Sequence, residues 1–241
     1  MLLNHNKSLK HLPTYIFMKK EYIVIPAYNE EKSLGKVIDN LRKNGFENII
    51  VVDDGSIDNT FEVAKNKKVK VYSHIINRGL GGALNTGISA ALINNANIIA
   101  TCDADGQHDP KDVKKAIEYL KKEKLDVVIG SRLINSKGMP ASRRFLNSGA
   151  SFITQLLFGV YSTDTQSGLR VFTKESAEKI IIKTNKMEVS SEIIKEIGRN
   201  KLKFKEIPIK AIYTDYSMEK GQGGMNAFNV AYKLMLRKIM E

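Results

Sequence analysis

Short apolar runs alternate with amphipathic stretches along the first half of the chain. The runs with the length and β-branched content of buried strands lie at residues 22–25, 48–52, 69–73, 97–101 and 126–130. Between them, apolar residues recur at helical spacing, as at Leu34, Val37, Ile38 and Leu41 before Gly45. Further helices are predicted at 58–67, 81–94 and 110–122. Strands that alternate with helices predict an α/β fold, with a mainly parallel sheet covered by helices on both faces.

The second half of the chain is less regular. Strands are predicted at 168–172 and 204–212, and helices at 174–182 and 189–200. Residues 1–19 show no clear period and predict a flexible arm, with Met18 as an alternative start. We expect residues 20–224 to form one α/β domain and residues 225–241 an amphipathic C-terminal helix.

Two long loops interrupt this pattern, at residues 131–140 and 213–224. The second contains Gly221, Gly223 and Gly224, which can act as hinges. It is interpreted either as a lid that closes over bound substrate or as a plain flexible connection.

Two carboxylates, Asp103 and Asp105, directly follow the buried run at 97–101. In an open α/β sheet, ligands gather outside the carboxyl ends of the strands. Carboxylate oxygens suit Mg²⁺ or Mn²⁺, so the pattern predicts a divalent metal whose shell is completed by substrate phosphates. The alternative is a solvated turn that starts the next helix. We adopt that interpretation for Asp109 as the N-cap and Pro110 as the first helical residue.

Polar clusters at 26–30 and 53–56 follow two other predicted strands. Their position at carboxyl ends predicts one shared crevice. Acids that follow parallel strands can accept hydrogen bonds from ribose hydroxyls and base N–H groups, so Glu30, Asp53 and Asp54 are candidates for binding a nucleoside. Helix capping is the alternative role for these acids.

The glycine-rich segment at 77–83 does not match a dinucleotide fingerprint. Leu84 stands where the last glycine is required, and the segment follows the third strand rather than the first. Its glycines are interpreted as close helix packing near a nucleotide.

The composition narrows the class of partner. The formal net charge of +12 favours anionic partners, but the cations are spread along the chain without interleaved aromatics, which argues against nucleic acid. One cysteine, Cys102, excludes an internal disulfide and is interpreted as a small buried residue. No apolar run reaches the ~20 residues of a membrane-spanning helix, and the N-terminus lacks a signal-peptide core. We expect a cytoplasmic protein, peripheral at the inner face of the membrane.

The order of six motifs resembles that of a known family. They are Ile-Pro-Ala-Tyr-Asn-Glu, Val-Val-Asp-Asp-Gly-Ser, Asn-Arg-Gly-Leu-Gly-Gly-Ala, Asp-Ala-Asp-Gly-Gln-His-Asp-Pro, Gly-Ser-Arg and Gln-Ser-Gly-Leu-Arg, and they fall between residues 22 and 212. The chain resembles family 2 glycosyltransferases of the Rossmann-like GT-A fold, and within them the dolichol-phosphate mannose synthase branch. The resemblance implies an inverting transferase that uses a nucleotide-diphosphate sugar and Mg²⁺ or Mn²⁺.

The resemblance also implies roles for individual residues. The candidate nucleotide-binding residues are Pro26, Ala27, Tyr28, Glu30, Asp53, Asp54 and Ser56. The implied metal ligands are Asp103, Asp105 and Gln107. The implied acceptor-phosphate residues are Arg132, Arg143, Arg144 and Lys220. Asp105, Arg132 and Lys220 are the implied catalytic residues.

The expected reaction is transfer of a hexose from a donor of the GDP-mannose or UDP-glucose type to a dolichyl-type polyprenyl phosphate. Such an acceptor is already anionic and needs no base. A family 2 transferase with a hydroxyl acceptor is the alternative, and Glu188, Glu192 or Asp164 would then have to take the proton. A remote alternative is a non-enzymatic binder of nucleotide sugars or nucleic acid.

The segment at 145–163 contains no charged residue. Its apolar side chains predict either contact with a membrane interface or packing on the sheet. Arg143 and Arg144, just before it, bind the acceptor phosphate or begin a solvated helix. Many relatives carry C-terminal transmembrane helices, and the chain lacks them after residue 225, so we expect a peripheral enzyme.

Overall fold

A seven-stranded sheet forms the centre of the computed structural model, which describes residues 20–135, 139, 141–210 and 212. The strands are β1 (Glu21–Ala27), β2 (Ile49–Asp53), β3 (Lys70–Ser73), β4 (Ile98–Thr101), β5 (Val127–Ser131), β6 (Arg170–Thr173) and β7 (Phe204–Pro208). The helices are α1 (Leu34–Lys43), α2 (Thr60–Asn66), α3 (Gly79–Ile93), α4 (Pro110–Glu123), α5 (Ala141–Phe158), α6 (Lys174–Lys179) and α7 (Val189–Arg199).

The predicted α/β class is confirmed. The strand order is β3-β2-β1-β4-β6-β5-β7, and β1 pairs in parallel with both β2 and β4. Two hydrophobic cores lie on opposite faces of the sheet. Ile23 and Ile25 of β1 point to the core that contains α1, whereas Tyr22 and Val24 point to the core that contains α3 and α7. This alternation along one strand explains why the parallel strands are apolar throughout.

Strand β6 is antiparallel to both of its neighbours, β4 and β5. Thr101 at the end of β4 pairs with Arg170 at the start of β6. The reversed direction therefore places the amino end of β6 at the edge of the sheet where the parallel strands end. Residues 166–170 consequently reach the crevice that the sequence predicts.

Two predicted elements end earlier than expected. The strand predicted at 204–212 stops at Pro208, and the helix predicted at 174–182 stops at Lys179. The backbone N–H of Ile209 then donates to the Ser131 carbonyl and that of Ile212 to the Gln107 carbonyl, so this segment runs along the carboxyl edge of the sheet.

Several predicted features lie outside the described residues: the arm at 1–19, the loop at 213–224 with Lys220, and the helix at 225–241. The charge-free segment at 145–163 belongs largely to α5, which packs against α7. Within the described part of the chain, no helix combines the length and hydropathy needed to cross a membrane.

Candidate active site

The loop after β4 brings together the residues implied as metal ligands. The Gln107 backbone N–H donates to Asp105 Oδ1 over 2.9 Å, and its side-chain amide donates to Oδ2 over 2.7 Å. A positive φ of 79° at Gly106 makes this tight turn possible. As predicted, Asp109 then caps α4 by accepting from the Lys111 N–H, and Pro110 is the first helical residue.

Asp103 is held between the segment that leads into β6 and a buried histidine. Its Oδ2 lies 3.0 Å from Nε2 of His108, whose side chain is 5% exposed. A Cβ at Gly168 would lie 2.2 Å from both Asp103 carboxylate oxygens, so only glycine fits there. Partial burial acts to raise the pKa of Asp103, but the hydrogen bond and charge of His108 and the charges of Arg132 and Arg170 act more strongly and lower it.

The pKa of Asp105, the second carboxylate of the loop, shifts in the opposite direction. Burial, and then the charge of Asp103, raise the pKa of Asp105 to about 6, and Glu30 adds to this effect. Two adjacent carboxylates with this repulsion fit a divalent cation, which would stabilise both ionised forms. The described residues contain no group of three or more His, Cys, Asp or Glu side chains placed to hold a metal. Asp103 and Asp105 could hold such a cation together with substrate phosphates that complete its shell.

The residues implied in nucleotide binding surround the ends of β1 and β2. Tyr28 is exposed and Glu30 is half-buried, so both can contact a ligand. The Asn29 N–H donates to Ser56 Oγ over 2.9 Å, which joins the two loops. Asp53 is 3% exposed and accepts from Ser56 N–H and from the Ser73 hydroxyl.

Asp54 is held by the first turn of α3. It accepts from the backbone N–H groups of Arg78 over 2.9 Å and Gly79 over 2.7 Å, and lies 2.7 Å from Nδ1 of His74. Asp54 therefore does cap a helix, which was the alternative role considered for it. The helix is α3, which lies more than 20 residues further along the chain. The glycines at 77–83 pack closely, as predicted.

Arg132, at the end of β5, forms a bidentate ion pair with Asp164. Its Nε and Nη2 lie 2.7 and 2.8 Å from the two carboxylate oxygens, and its backbone N–H also donates to Asp164. Asp164 is completely buried. Arg144 is exposed on the first turn of α5, and the side chain of Arg143 lies outside the described residues.

A cavity of about 60 Å³ lies beside Asp103. It is lined by Pro26, Leu80, Leu84, Thr101, Cys102, Asp103, Gln166, Gly168, Arg170, Met187 and Ser190. Arg170 is 2% exposed and donates to the Thr165 carbonyl. Burial lowers the pKa of Arg170 to about 10, while Asp103 and Asp164 oppose the shift, so it remains a cation at neutral pH.

The sequence from residue 22 to residue 207 matches the family model described as glycosyl transferase family 2. This match covers most of the chain and contains the loops that follow β1, β2, β4 and β5. The chain belongs to glycosyltransferase family 2.

Two curated relatives place this family 2 glycosyltransferase in the polyprenyl-phosphate branch. UDP-N-acetylglucosamine--dolichyl-phosphate N-acetylglucosaminyltransferase of Methanococcus voltae is 42% identical, over 90% of this chain and 96% of the relative. Undecaprenyl-phosphate mannosyltransferase of Micrococcus luteus is 28% identical, over 84% of this chain and 87% of the relative. The resemblance seen in the sequence motifs is confirmed.

A solved structure confirms the GT-A fold. Glucosyl-3-phosphoglycerate synthase of Mycobacterium tuberculosis, crystallised with Mn²⁺, UDP and glucosyl-3-phosphoglycerate, superimposes with a TM-score of 0.66. The two chains are 18% identical, and the similarity covers 90% of this chain and 80% of that one.

The sequence motifs of this glycosyltransferase did not assign roles to His108, Gly168 and Arg170, which surround Asp103. Gly168 and Arg170 belong to the Gln-Ser-Gly-Leu-Arg motif that contributed to the resemblance. Their position beside Asp103 depends on the antiparallel insertion of β6, for which the local sequence carries no signal.

Proposed function

We propose that this glycosyltransferase transfers a sugar from a nucleotide diphosphate to a polyprenyl phosphate, with inversion at the anomeric carbon. The observation that carries the proposal is the meeting of opposite charges at one edge of the sheet. Asp103 and Arg170 line the same cavity, and Arg132 and Arg170 add to the larger effect of His108 in lowering the pKa of Asp103. Such a site can hold the anionic donor through a cation and the anionic acceptor through arginine.

Asp103, Asp105 and Gln107 would hold Mg²⁺ or Mn²⁺. When bound, the metal neutralises charge that develops on the departing nucleoside diphosphate. His108 and Gly168 keep Asp103 in place, because one bonds to the carboxylate and the other leaves room for it. Tyr28, Glu30 and Ser56 remain the residues proposed to contact the nucleoside.

An acceptor phosphate needs no general base, since its oxygen is already ionised. The contacts of two base candidates agree with this. Asp164 is committed to Arg132, and Glu192 accepts from the backbone N–H groups of Lys183 and Thr184. We propose that Arg132, aimed by Asp164, contacts the acceptor phosphate together with Lys220.

The donor is proposed from the relatives rather than from the pocket. The Methanococcus voltae relative is named for UDP-N-acetylglucosamine. We therefore place UDP-N-acetylglucosamine first among donors to be tested, together with GDP-mannose and UDP-glucose, the types that the sequence resemblance implies.

A lipid acceptor requires access to a membrane surface, and α5 offers an apolar one. Phe145, Phe152 and Leu156 are 77%, 65% and 68% exposed, and their spacing of seven and four residues places them on one face of the helix. With the charge-free sequence around them, this face suits the acyl boundary of a bilayer. We propose peripheral membrane contact through α5.

The double variant Phe152→Ser, Leu156→Ser tests this contact. We expect its binding to vesicles of anionic phospholipid to fall roughly tenfold or more, since burying one large apolar side chain contributes about 1.5–3 kcal/mol. Co-sedimentation measures the effect. Ile93→Ser is the matched control, because Ile93 is 80% exposed at the far end of α3. Equal loss of binding in both variants would contradict the role of α5.

The reaction itself is tested with labelled donors and a polyprenyl phosphate. We expect label from one of the three donors in the organic phase, dependent on the acceptor and abolished by a metal chelator. Release of nucleoside diphosphate without labelled lipid would favour a hydroxyl group, rather than a polyprenyl phosphate, as the acceptor. Absence of both with every donor would contradict the proposed function.

A further inference from the structure

The connection between α6 and α7 packs directly on the first turn of α3. The Gly81 N–H donates to the Asn185 carbonyl over 2.9 Å. A Cβ at Gly79 would lie 2.2 Å from that oxygen, and one at Gly81 would lie 1.8 Å from the Thr184 carbonyl oxygen. Both glycines therefore allow the connection to lie closer to α3 than any residue with a side chain would permit.

One carboxylate oxygen fixes this connection from the other side. Oε2 of Glu192, in the first turn of α7, accepts from the backbone N–H groups of Lys183 over 3.1 Å and Thr184 over 2.9 Å. It also accepts from the Thr184 hydroxyl over 2.6 Å. Glu192 is 9% exposed, so these bonds are shielded from water.

The two packed segments form one wall of the cavity beside Asp103. Leu80 and Leu84 come from α3, Met187 from the end of the connection, and Ser190 from α7. Asp54 holds the same first turn of α3 through the N–H groups at residues 78 and 79. A shift of the connection would therefore change the cavity next to the carboxylates.

We propose that Glu192 is a positioning residue for the donor sugar, and this proposal rests on the proposed function. It holds the connection at residues 183–187 against α3 and thereby shapes the cavity beside Asp103. It does not take a proton from the acceptor.

The chemistry of the three hydrogen bonds separates the two roles of Glu192. All three end on a single oxygen, and the carbonyl oxygen of a glutamine can accept the same bonds. A general base, in contrast, must be an ionised carboxylate. Glu192→Gln therefore preserves a positioning residue and eliminates a base.

Glu192→Gln and Glu192→Ala are compared by calorimetric binding of the donor with Mn²⁺, without acceptor, and by kcat and KM in the transfer assay. We expect Glu192→Gln to stay within about threefold of wild type in Kd, KM and kcat, with an unchanged pH profile. We expect Glu192→Ala to raise Kd and KM at least tenfold and to lower kcat less. Glu196→Gln is the control, since it replaces a buried glutamate one turn further along α7.

A hundredfold loss of kcat in Glu192→Gln with unchanged donor Kd would overturn the proposal in favour of a base. Wild-type donor affinity in Glu192→Ala would also overturn it. If Glu192→Ala does not fold, Thr184→Val tests the proposal, because it removes the hydroxyl that donates one of the three hydrogen bonds to Glu192. We expect Thr184→Val to raise the Kd for the nucleotide sugar threefold or more. Failure of the wild-type protein to bind any nucleotide sugar would instead contradict the proposed function.

Discussion

Asp105→Asn is expected to reduce sugar transfer by at least about a thousandfold and to leave the fold intact. The change removes one of two carboxylates proposed to hold the metal, whose stabilisation of developing charge amounts to several kcal/mol, and about 4 kcal/mol corresponds to a thousandfold change in rate. The amide is of similar size and can still accept from the Gln107 N–H.

The same variant is expected to keep or gain stability. The folded-state pKa of Asp105, about 6, lies above its ordinary value, so ionisation of this group destabilises the fold as the pH rises through 6. An uncharged asparagine removes that cost at pH 7.5. Thermal unfolding without metal should give a midpoint equal to or above that of wild type.

Asp109→Asn is the matched control for Asp105→Asn. It replaces another carboxylate of the same loop, and asparagine remains a good N-cap for α4. Transfer by this control should stay within about threefold of wild type. Metal-dependent transfer at the wild-type rate in Asp105→Asn would show that the carboxylate does not hold the metal.

Asp164→Ala is expected to destabilise the fold by about 3–5 kcal/mol, the usual effect of leaving one partner of a buried ion pair alone. Asp164 is fully buried and accepts three hydrogen bonds from Arg132, whose side chain is 16% exposed. Urea unfolding measures the change. We also expect sugar transfer to fall, because Asp164 would no longer orient the Arg132 guanidinium toward the acceptor phosphate.

A partly exposed pair provides the comparison for Asp164. Asp39 and Lys67 lie 2.5 Å apart with side chains 44% and 33% exposed, so Asp39→Ala should cost less than about 1 kcal/mol. The double variant Arg132→Met, Asp164→Leu separates stability from activity. It should recover most of the lost stability, since replacing a whole buried pair is often neutral, but not the transfer activity. Equal effects of Asp164→Ala and Asp39→Ala would contradict the importance of the buried pair.

Local patterns predicted much of the fold because their signals are short in range. Apolar runs located the five strands from β1 to β5, and the sheet is mainly parallel as expected. Asp109 caps α4, and Cys102 is 2% exposed. Each of these features depends on neighbours within a few residues or on burial of one apolar segment.

Contacts between distant segments followed no local pattern. Asp54 accepts from residues 24 and 25 positions further along the chain, and Arg132 pairs with Asp164 across 32 positions. For a hydroxyl acceptor, the sequence suggested Glu188, Glu192 or Asp164 as the base. The hydrogen bonds of Asp164 and Glu192 show that both hold other segments. Whether an acid is free to react depends on its partners, which only the packed fold supplies.

The sequence by itself determined the family, the order of the elements and the position of the Asp103–Asp105 pair at a strand end. The tertiary structure decided what surrounds that pair. Strand β6 inserts antiparallel between β4 and β5, which brings Gly168 against Asp103 and buries Arg170 nearby. The direction of β6 is set by pairing with a segment about 70 residues earlier in the chain and by burial on both faces. The periodicity of a four-residue strand indicates neither of these.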